Sequence, residues 1–408
     1  MNPSVKSIPG GVTAPRGFRA AAGCAGLKRD PCLTDLALVV SDTPAAAAAI
    51  VTRNRVKAAP LLLCQQHLAG GRRVRAVVVN AGNANACTGE QGLAHAREMA
   101  ALVAQGLGVA TEEVLVASTG VIGVPLPMEK LRSGLAGLPE TLERSAQADE
   151  AAARAIMTTD TSPKFHAVEV ELEGVAVRVG GMAKGSGMIH PDLATMLAFL
   201  TTDADLPQVV LNSAFREVAG RTFNALTVDG DTSTNDFAVL LANGQAANPP
   251  IAPGSPAYAA FLAALEEVAG RLARDIARDG EGATKFLTVE VIHAPSDEAA
   301  RAIAKTVAAS CLVKTAMFGE DPNWGRILAA AGRGPVDFDP GRTDVYLAGT
   351  LVCRGGVAHP YDEAALKRRL GEKEIAVRLD LNQGGGAATV WSCDLSYDYV
   401  RINGSYRT

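Results

Sequence analysis

A short apolar run that directly follows a glycine-rich segment limits what this chain can fold into. Residues 196–200 (Met-Leu-Ala-Phe-Leu) carry no charge and have the length of a buried strand. Four glycines lie between positions 180 and 187, where the backbone can adopt unusual dihedral angles and approach a ligand closely. Thr195 stands between the two segments. Its hydroxyl is therefore a candidate nucleophile at the mouth of a buried strand.

The size and composition of the chain indicate a globular protein with two domains. With 408 residues, it exceeds the size at which a single hydrophobic core stops growing. Hydrophobic residues make up 48% and charged residues 20%, as in ordinary soluble domains. The net charge of −4 argues against a nucleic-acid surface, which needs a basic excess. No stretch reaches the roughly 18 apolar residues of a membrane span, and the N-terminus lacks a signal pattern, so we expect a cytoplasmic protein.

The cysteines and the acidic loops give no sign of a metal site. The seven cysteines are scattered, and no two of them are two or three positions apart, unlike the paired ligands of a zinc site. The loop that starts at Asp229 begins like a calcium-binding loop, but Thr234 occupies the sixth position, where the sharp turn requires glycine. We therefore expect no bound metal.

Alternating and apolar segments predict a mixed α and β fold. Residues 36–40 and 58–64 have the composition of strands, whereas the alanine run at 45–49 favours a short helix. Alternation at 167–172 and 175–179, separated by Glu-Gly, is typical of a β-hairpin. Because helices and strands are mixed and many strand pairs are hairpin-like, an α+β layered fold is favoured over a doubly wound parallel sheet.

Thr195 needs a base before its hydroxyl can act as a nucleophile. His190 lies five residues upstream, with a proline between them, and this placement is more typical of a loop histidine. A break between Ala194 and Thr195 supplies another base, because it gives Thr195 a free α-amino group. The pKa of such a group is about 7.7–8.0, so the amine can accept the proton of its own residue's hydroxyl near neutral pH.

The sequence around this junction resembles a known family. Residues 182–189 (MAKGSGMI) and 194–199 (ATMLAF) are similar to the self-cleavage and nucleophile motif of the ornithine acetyltransferase family, also called glutamate N-acetyltransferase. Further motifs of the family follow in the same order over nearly the whole chain: GVTAPRGF (11–18), NAGNANACTG (80–89), STGVIG (118–123), TTDT (158–161), DGDTSTND (229–236), GATK (282–285), DPNWGR (321–326) and CDLSYDYVRIN (393–403).

The resemblance implies a fold and a processing event. The family's fold is a layered αββα sandwich, expected here over residues 1–285, with a smaller C-terminal α/β domain over 286–408 whose last residues return to the active site. The precursor is expected to cut itself between Ala194 and Thr195. The products are an α chain (1–194) and a β chain (from 195), which assemble as α2β2.

The resemblance also implies a reaction of arginine biosynthesis. Thr195 takes an acetyl group from N2-acetylornithine, releases ornithine and passes the acetyl group to glutamate in a ping-pong transfer. Some members also accept acetyl-CoA as a second donor, and we expect this bifunctional form. No cofactor is implied, and the expected partners are these small amino-acid substrates.

By the family's pattern, the Thr119 side chain and the Gly120 N–H form the oxyanion hole. The substrate contacts map onto Thr158, Lys184, Thr195, Glu281, Asn403 and Thr408. Lys184 suits the carboxylate of an acetylated amino acid, and Glu281 suits the second amine of ornithine. Asp192 stands where the family more often has asparagine, and this extra carboxylate near the scissile bond could alter cleavage.

Two other classes of function stay open at this point. A self-processing aminopeptidase or amidase uses the same nucleophile but gives the acyl group to water, so it would release acetate without glutamate. A non-catalytic assembly protein would remain one 408-residue chain on a denaturing gel. The acetyltransferase should instead show two chains of about half that length.

Overall fold

The computed structural model describes residues 4–190 and 196–405. Their strands are β1 (Lys6–Ile8), β2 (Phe18–Gly23), β3 (Leu36–Val51), β4 (Val74–Asn83), β5 (Val114–Val121), β6 (Lys164–Leu172), β7 (Val175–Lys184), β8 (Leu197–Thr202), β9 (Phe237–Ala242), β10 (Phe286–Ala294), β11 (Asp344–Leu347), β12 (Thr350–Arg354), β13 (Val357–Ala358), β14 (Glu374–Asp380) and β15 (Gly386–Cys393).

The α-helices of the same residues alternate with these strands. They are α1 (Ala59–His67), α2 (Gly89–Leu107), α3 (Met128–Leu135), α4 (Ala146–Ala155), α5 (Gln208–Arg221), α6 (Pro256–Arg278), α7 (Asp297–Ala308), α8 (Cys311–Phe318), α9 (Trp324–Gly332), α10 (Glu363–Leu370) and α11 (Tyr397–Ser405). Short 3₁₀ turns lie at Ala69–Gly71, Thr111–Glu113, Leu138–Thr141, Phe223–Ala225 and Pro340–Arg342.

The first nine strands form one continuous sheet that turns at β3. The order is β1-β6-β7-β8-β9-β3-β4-β5, and β2 also pairs with β3. The first part of β3 pairs with β2 and β4, whereas residues 46–51 pair antiparallel with β9, and the register shifts between Val40 and Ala45. Strands β6 and β7 form the predicted hairpin.

Four layers follow from which residues share a core. One cluster joins α5 and α6 to one face of β6–β9, and another joins α1, α2 and α3 to the outer face of β2–β5. A third cluster lies between the two parts of the sheet, where Val39 and Val77 from one part meet Phe199 and Val239 from the other. The order is therefore helices, sheet, sheet, helices. The α+β layered sandwich predicted above is confirmed.

Two local predictions were wrong. The alanine run at 45–49 belongs to β3 and is not a helix, because pairing with the buried strand β9 outweighs the helix propensity of alanine. Residues 58–64 lie mostly in α1, where Pro60 occupies the first turn and Leu61 and Cys64 are buried one turn apart. The apolar run there is too short to distinguish a buried helix from a strand by pattern alone.

A second sheet, of six strands, begins with β10 at Phe286. Its order is β13-β12-β11-β14-β10-β15, with β10 parallel to β14 and antiparallel to β15. Helices α7–α10 share its hydrophobic core. The domain boundary at residue 285 stays a prediction. Among the described residues, no helix combines the length and the apolar content needed to cross a membrane.

Candidate active site

A cavity of about 140 Å³ lies beside the end of β7, the start of β8 and the loop before β9. Six residues singled out in the sequence line it: Thr119, Gly120, Thr158, Lys184, Glu281 and Asn403. The fold thus brings together side chains that are far apart along the chain. Ala194, Thr195 and Thr408 lie outside the described residues, as does Asp192. Met196, which directly follows Thr195, lines the cavity.

Gly120 occupies a position that requires glycine. It lies near the end of β5 with a φ of +128°, opposite Gly82 in the neighbouring strand β4. A Cβ atom at Gly120 would lie 2.3 Å from the carbonyl carbon of Gly82, far inside any permitted contact. This close approach of the two strands holds the backbone of Thr119 and Gly120 at the cavity wall.

Asn235 links the loop before β9 to the strand that carries Thr119. Its Nδ2 donates to the carbonyl oxygens of Ala84 (2.6 Å) and Ser118 (2.8 Å). The Ser118 hydroxyl donates in turn to Asn80 Oδ1 (2.6 Å). Because these amides and hydroxyls are buried and bonded to each other, they hold three separate segments in register around the cavity.

Lys184 holds one side of the cavity through Thr158 and Asp160. Its Nζ donates to Thr158 Oγ1 (2.7 Å) and lies 3.8 Å from Asp160 Oδ2. Asp160 also accepts from the backbone N–H of Thr158 (3.1 Å) and of Gly185 (2.7 Å). The segment at 158–160 is thereby fastened to the end of β7, and the ammonium of Lys184 is directed by two oxygen partners.

Asp160 belongs to a buried ion-pair cluster with Lys164 and Asp279. Lys164 Nζ donates to Asp160 Oδ1 (2.8 Å) and contacts Asp279. Burial raises the pKa of Asp160, but the ammonium groups of Lys184 and Lys164 outweigh it and hold that pKa below its ordinary value. Stability from this carboxylate is therefore present above about pH 3.9, its unfolded-state pKa, and is lost as the pH falls towards the lower folded-state pKa.

Lys164→Met is expected to lower the free energy of unfolding by about 3–5 kcal/mol, because it removes the cation shared by two buried carboxylates. Chemical denaturation at pH 7 measures this change. Lys130→Met is the control and should lower the free energy of unfolding by less than about 0.5 kcal/mol. Lys130 is exposed, and its Nζ donates to the carbonyl oxygen of Gly26 (2.9 Å). Equal losses in the two variants would contradict a structural role for the cluster.

Glu281 and Asn403 connect the C-terminal helix α11 to the cavity. Asn403 Nδ2 donates to Glu281 Oε2 (2.7 Å), and the backbone N–H of Glu281 donates to the carbonyl oxygen of Ser186 (2.9 Å). A Cβ atom at Gly187 would lie 2.4 Å from the Glu281 carboxyl group. The absence of a side chain at Gly187 therefore leaves the space that this carboxylate occupies.

Asp229 holds the segment before the predicted cleavage site. It accepts from the backbone N–H groups of Met188 (2.6 Å) and Ile189 (2.9 Å), and the Tyr399 hydroxyl of α11 lies 3.3 Å from it. Burial, with the nearby charges of Asp229 and Glu281, raises the pKa of Tyr399 well above its usual value, so the phenol stays protonated. Loop and helix are thus joined at one carboxylate.

The charges that line the cavity are unevenly distributed. Lys184 is the cation among the described lining residues, whereas the carboxyl groups belong to Asp229, Asp231, Asp236 and Glu281. A small molecule with a carboxylate at one end and an ammonium group at the other can be bound by both signs of charge.

In the described residues, no cluster of three or more histidine, cysteine or acidic side chains is arranged to hold a metal ion.

Sequence reasoning assigned no role to Asp160, Asp229, Asn235 or Tyr399, although each lies in a quoted motif. Their partners lie far away along the chain, and no local spacing predicts such contacts. The available signal was the density of polar residues in the TTDT and DGDTSTND segments, which is unusual beside apolar strands.

Comparison with known proteins shows which family the chain resembles over its length. The model of the ArgJ family matches residues 19–408. The arginine biosynthesis bifunctional protein ArgJ of Symbiobacterium thermophilum is 53% identical over 402 residues, which cover 98% of this chain and 99% of that protein. The protein of the same name from Geobacter sulfurreducens is 52% identical over 394 residues, covering 96% and 99%.

A solved structure is also similar. The crystal structure of the arginine biosynthesis bifunctional protein argJ from Bacillus halodurans shares 41% identity with a TM-score of 0.51. The match covers 52% of this chain and 100% of that chain. Since the family model and the relatives both span almost the whole sequence, the chain belongs to the ArgJ family.

Proposed function

We propose that this protein transfers an acetyl group from N2-acetylornithine to L-glutamate through an acetyl ester on Thr195, as a step of arginine biosynthesis. The first half-reaction releases ornithine, and the second releases N-acetylglutamate. Acetyl-CoA is proposed as a second donor, in keeping with the word bifunctional in the relatives' name. The proposal requires no metal and no bound cofactor.

One observation carries the proposal: six residues that the family pattern implicates converge on a single cavity, which Met196 also lines. They lie in β5, in the segment after α4, at the end of β7, after α6 and in α11. A chain that merely kept the family's fold would have no need to bring these particular side chains to one point. Thr195 is bonded to Met196 in the sequence, and we propose that it reacts at this cavity.

The charges of the cavity suit the proposed substrates. Lys184 is proposed to bind the α-carboxylate of N2-acetylornithine, assisted by the hydroxyl of Thr158. Glu281, fixed by Asn403, is proposed to bind the side-chain ammonium of the same molecule. Thr119 and Gly120 are proposed to donate to the oxyanion that forms when Thr195 attacks the acetyl carbonyl.

The free α-amino group of Thr195 is proposed to arise by autocatalytic scission after Ala194, which gives an α chain of residues 1–194 and a β chain of 195–408. The Bacillus halodurans chain supports this division, because about half of the present chain matches that chain over its whole length. Assembly as α2β2 and a cytoplasmic location belong to the same proposal.

Purified protein tests the proposal directly. With N2-acetylornithine and glutamate it should form ornithine and N-acetylglutamate, with the parallel double-reciprocal lines of a ping-pong reaction. With N2-acetylornithine alone, mass spectrometry should find the acetyl group on the peptide that begins at Thr195. Release of acetate at the same rate without glutamate would identify the hydrolase alternative instead. Glutamate acetylation with acetyl-CoA as the sole donor measures the second activity.

Gly187→Ala is expected to raise the KM for N2-acetylornithine by about tenfold or more while kcat changes little. The new Cβ would occupy the space of the Glu281 carboxyl group and displace it, and a charged hydrogen bond is worth about 1.5–3 kcal/mol. Gly220→Ala, in α5, is the control, because a Cβ there meets no atom within 4 Å. An unchanged KM in Gly187→Ala would remove Glu281 from substrate binding.

A further inference from the structure

Tyr399, in the C-terminal helix α11, lines the cavity next to Glu281. The start of this helix is fixed on the loop after α6, because the Ser396 hydroxyl donates to the carbonyl oxygen of Gly282 (2.5 Å). A Cβ atom at Gly282 would lie 2.5 Å from the backbone nitrogen of Tyr399, so the two segments are in direct contact. Asn403 adds a further link, since its Nδ2 donates to Glu281 Oε2 (2.7 Å) and to the carbonyl oxygen of Tyr399 (3.0 Å). Tyr399 and Glu281 are therefore held in the same part of the cavity.

The Tyr399 hydroxyl has one weak partner among the described residues. It lies 3.3 Å from Asp229 Oδ2, farther than the roughly 2.5–3.0 Å of an ordinary O–H···O hydrogen bond. Asp229 does not depend on this contact, because it also accepts from the backbone N–H groups of Met188 (2.6 Å) and Ile189 (2.9 Å). Burial and the charges of Asp229 and Glu281 raise the pKa of the phenol, so it stays protonated at neutral pH. A hydroxyl donor is thus available beside these two acidic side chains.

The two amino acids of the proposed reaction carry opposite charges at the ends of their side chains. Both react through the same acetyl group, so their α-amino groups must occupy the same position in turn. The side-chain nitrogen of ornithine and the side-chain oxygens of glutamate are the same number of bonds away from the α-carbon. The side-chain carboxylate of glutamate therefore reaches the place where the ammonium group of ornithine is proposed to contact Glu281.

Glutamate needs a hydrogen-bond donor at this place. Like charges in contact repel, so its carboxylate cannot simply replace an ammonium group beside Glu281. Lys184 is the cation among the described residues that line the cavity, and the proposed function assigns it to the α-carboxylate. The amide group of Asn403 already donates to Glu281 and to the backbone of α11. The hydroxyl of Tyr399, in contrast, has a long contact that it can give up.

We propose that Tyr399 is a specificity-determining residue, whose hydroxyl donates a hydrogen bond to the side-chain carboxylate of the acceptor, glutamate. The inference rests on the proposed function, because that function supplies both substrates. When glutamate binds, the hydroxyl exchanges Asp229 for the substrate carboxylate, and no proton is transferred. Ornithine does not need this hydrogen bond, since an ammonium group only donates and cannot accept the phenol proton. One cavity with a fixed Glu281 can thereby bind both side chains.

Tyr399→Phe tests the inference, because it removes the hydroxyl and keeps the ring. Each substrate of a ping-pong reaction has its own KM. The KM for glutamate should rise about tenfold to a hundredfold, as expected when a hydrogen bond to a charged group is lost. The KM for N2-acetylornithine should change less than about twofold. Tyr258→Phe is the matched control and should change neither KM, because the Tyr258 hydroxyl makes an exposed contact with Glu217 (3.4 Å) and does not line the described part of the cavity.

Isotope exchange measures the two half-reactions separately. In Tyr399→Phe without glutamate, labelled ornithine should enter N2-acetylornithine at the wild-type rate, which also shows that the variant is folded. Labelled glutamate, at concentrations below its KM, should enter N-acetylglutamate at least about tenfold more slowly than in the wild type. A residue that merely holds α11 in place would affect both exchanges, so equal losses would overturn the inference. Wild-type rates in both exchanges, or a larger loss with ornithine, would overturn it too.

The same measurements separate the role of Tyr399 from the proposed function. A wild-type protein that catalyses neither exchange contradicts the proposed function. A wild-type protein that catalyses both exchanges, combined with a Tyr399→Phe variant that does not distinguish between them, overturns only the role of Tyr399.

Discussion

Thr195→Ala is expected to remain a single chain of 408 residues and to lose at least about 10⁴-fold of its acetyl-transfer rate. The substitution removes the hydroxyl that attacks during scission and also the oxygen that carries the acetyl group. Without scission there is no free α-amine, so the base is lost as well. A denaturing gel should show one band at about 42.1 kDa where the wild type shows two.

Thr195→Ser provides the matched control for this result. Serine keeps the hydroxyl and, once cut, the α-amine, so the chain should still divide into two pieces and retain measurable transfer. The methyl group of threonine restricts the side-chain rotamers, and its loss should slow both reactions. Transfer at the normal rate by an uncut Thr195→Ala protein would contradict the assignment of Thr195 and every step that follows from it.

The fold was predictable where apolar pattern and turn residues agreed. The hairpin of β6 and β7 follows from alternation on either side of Glu173-Gly174, where both residues adopt positive φ angles. The strand β8 follows from its uncharged run. The alanines in the second half of β3 were not predictable, because alanine favours a helix locally and only the pairing with β9 makes them a strand.

The site was predictable only as a set of motifs. The resemblance named Thr119, Lys184 and Glu281 but could not say what holds them. Those contacts join distant positions: Lys164 meets Asp279 across 115 residues, and Asn235 meets Ser118 across 117. Such contacts depend on how the layers stack, which no spacing along the chain records.

The burial of Asp236, which lines the cavity, shows the same limit from another side. In the sequence, the residue is the last letter of an acidic, hydroxyl-rich loop and resembles a solvated turn. In the fold, it is buried between β3 and β8, next to the residue that follows Thr195. Burial therefore raises the pKa of this carboxyl group well above its ordinary value, and the nearby hydroxyls of Ser233 and Thr52 oppose the rise only in part.

Thr119→Ala is expected to lower kcat about 10²–10³-fold while the KM for N2-acetylornithine changes little. The proposed donor acts on the negative charge that develops in the transition state, and the ground-state carbonyl gains much less from it. The fold should survive, because the backbone of Thr119 remains paired with Ala81 in β4 and the side chain is only half-buried. Initial rates at saturating and limiting substrate separate the two kinetic constants.

Thr119→Ser tests whether the hydroxyl alone accounts for this effect. Serine retains the donor at the same backbone position, which the contact of Gly120 with Gly82 fixes. We therefore expect most of the turnover to return, with a KM like that of the wild type. A loss in Thr119→Ser as large as in Thr119→Ala would show that the methyl group and its packing matter instead. An unchanged kcat in Thr119→Ala would rule out the Thr119 hydroxyl as an oxyanion donor. The backbone N–H of Gly120 would then be the one proposed donor left on this strand.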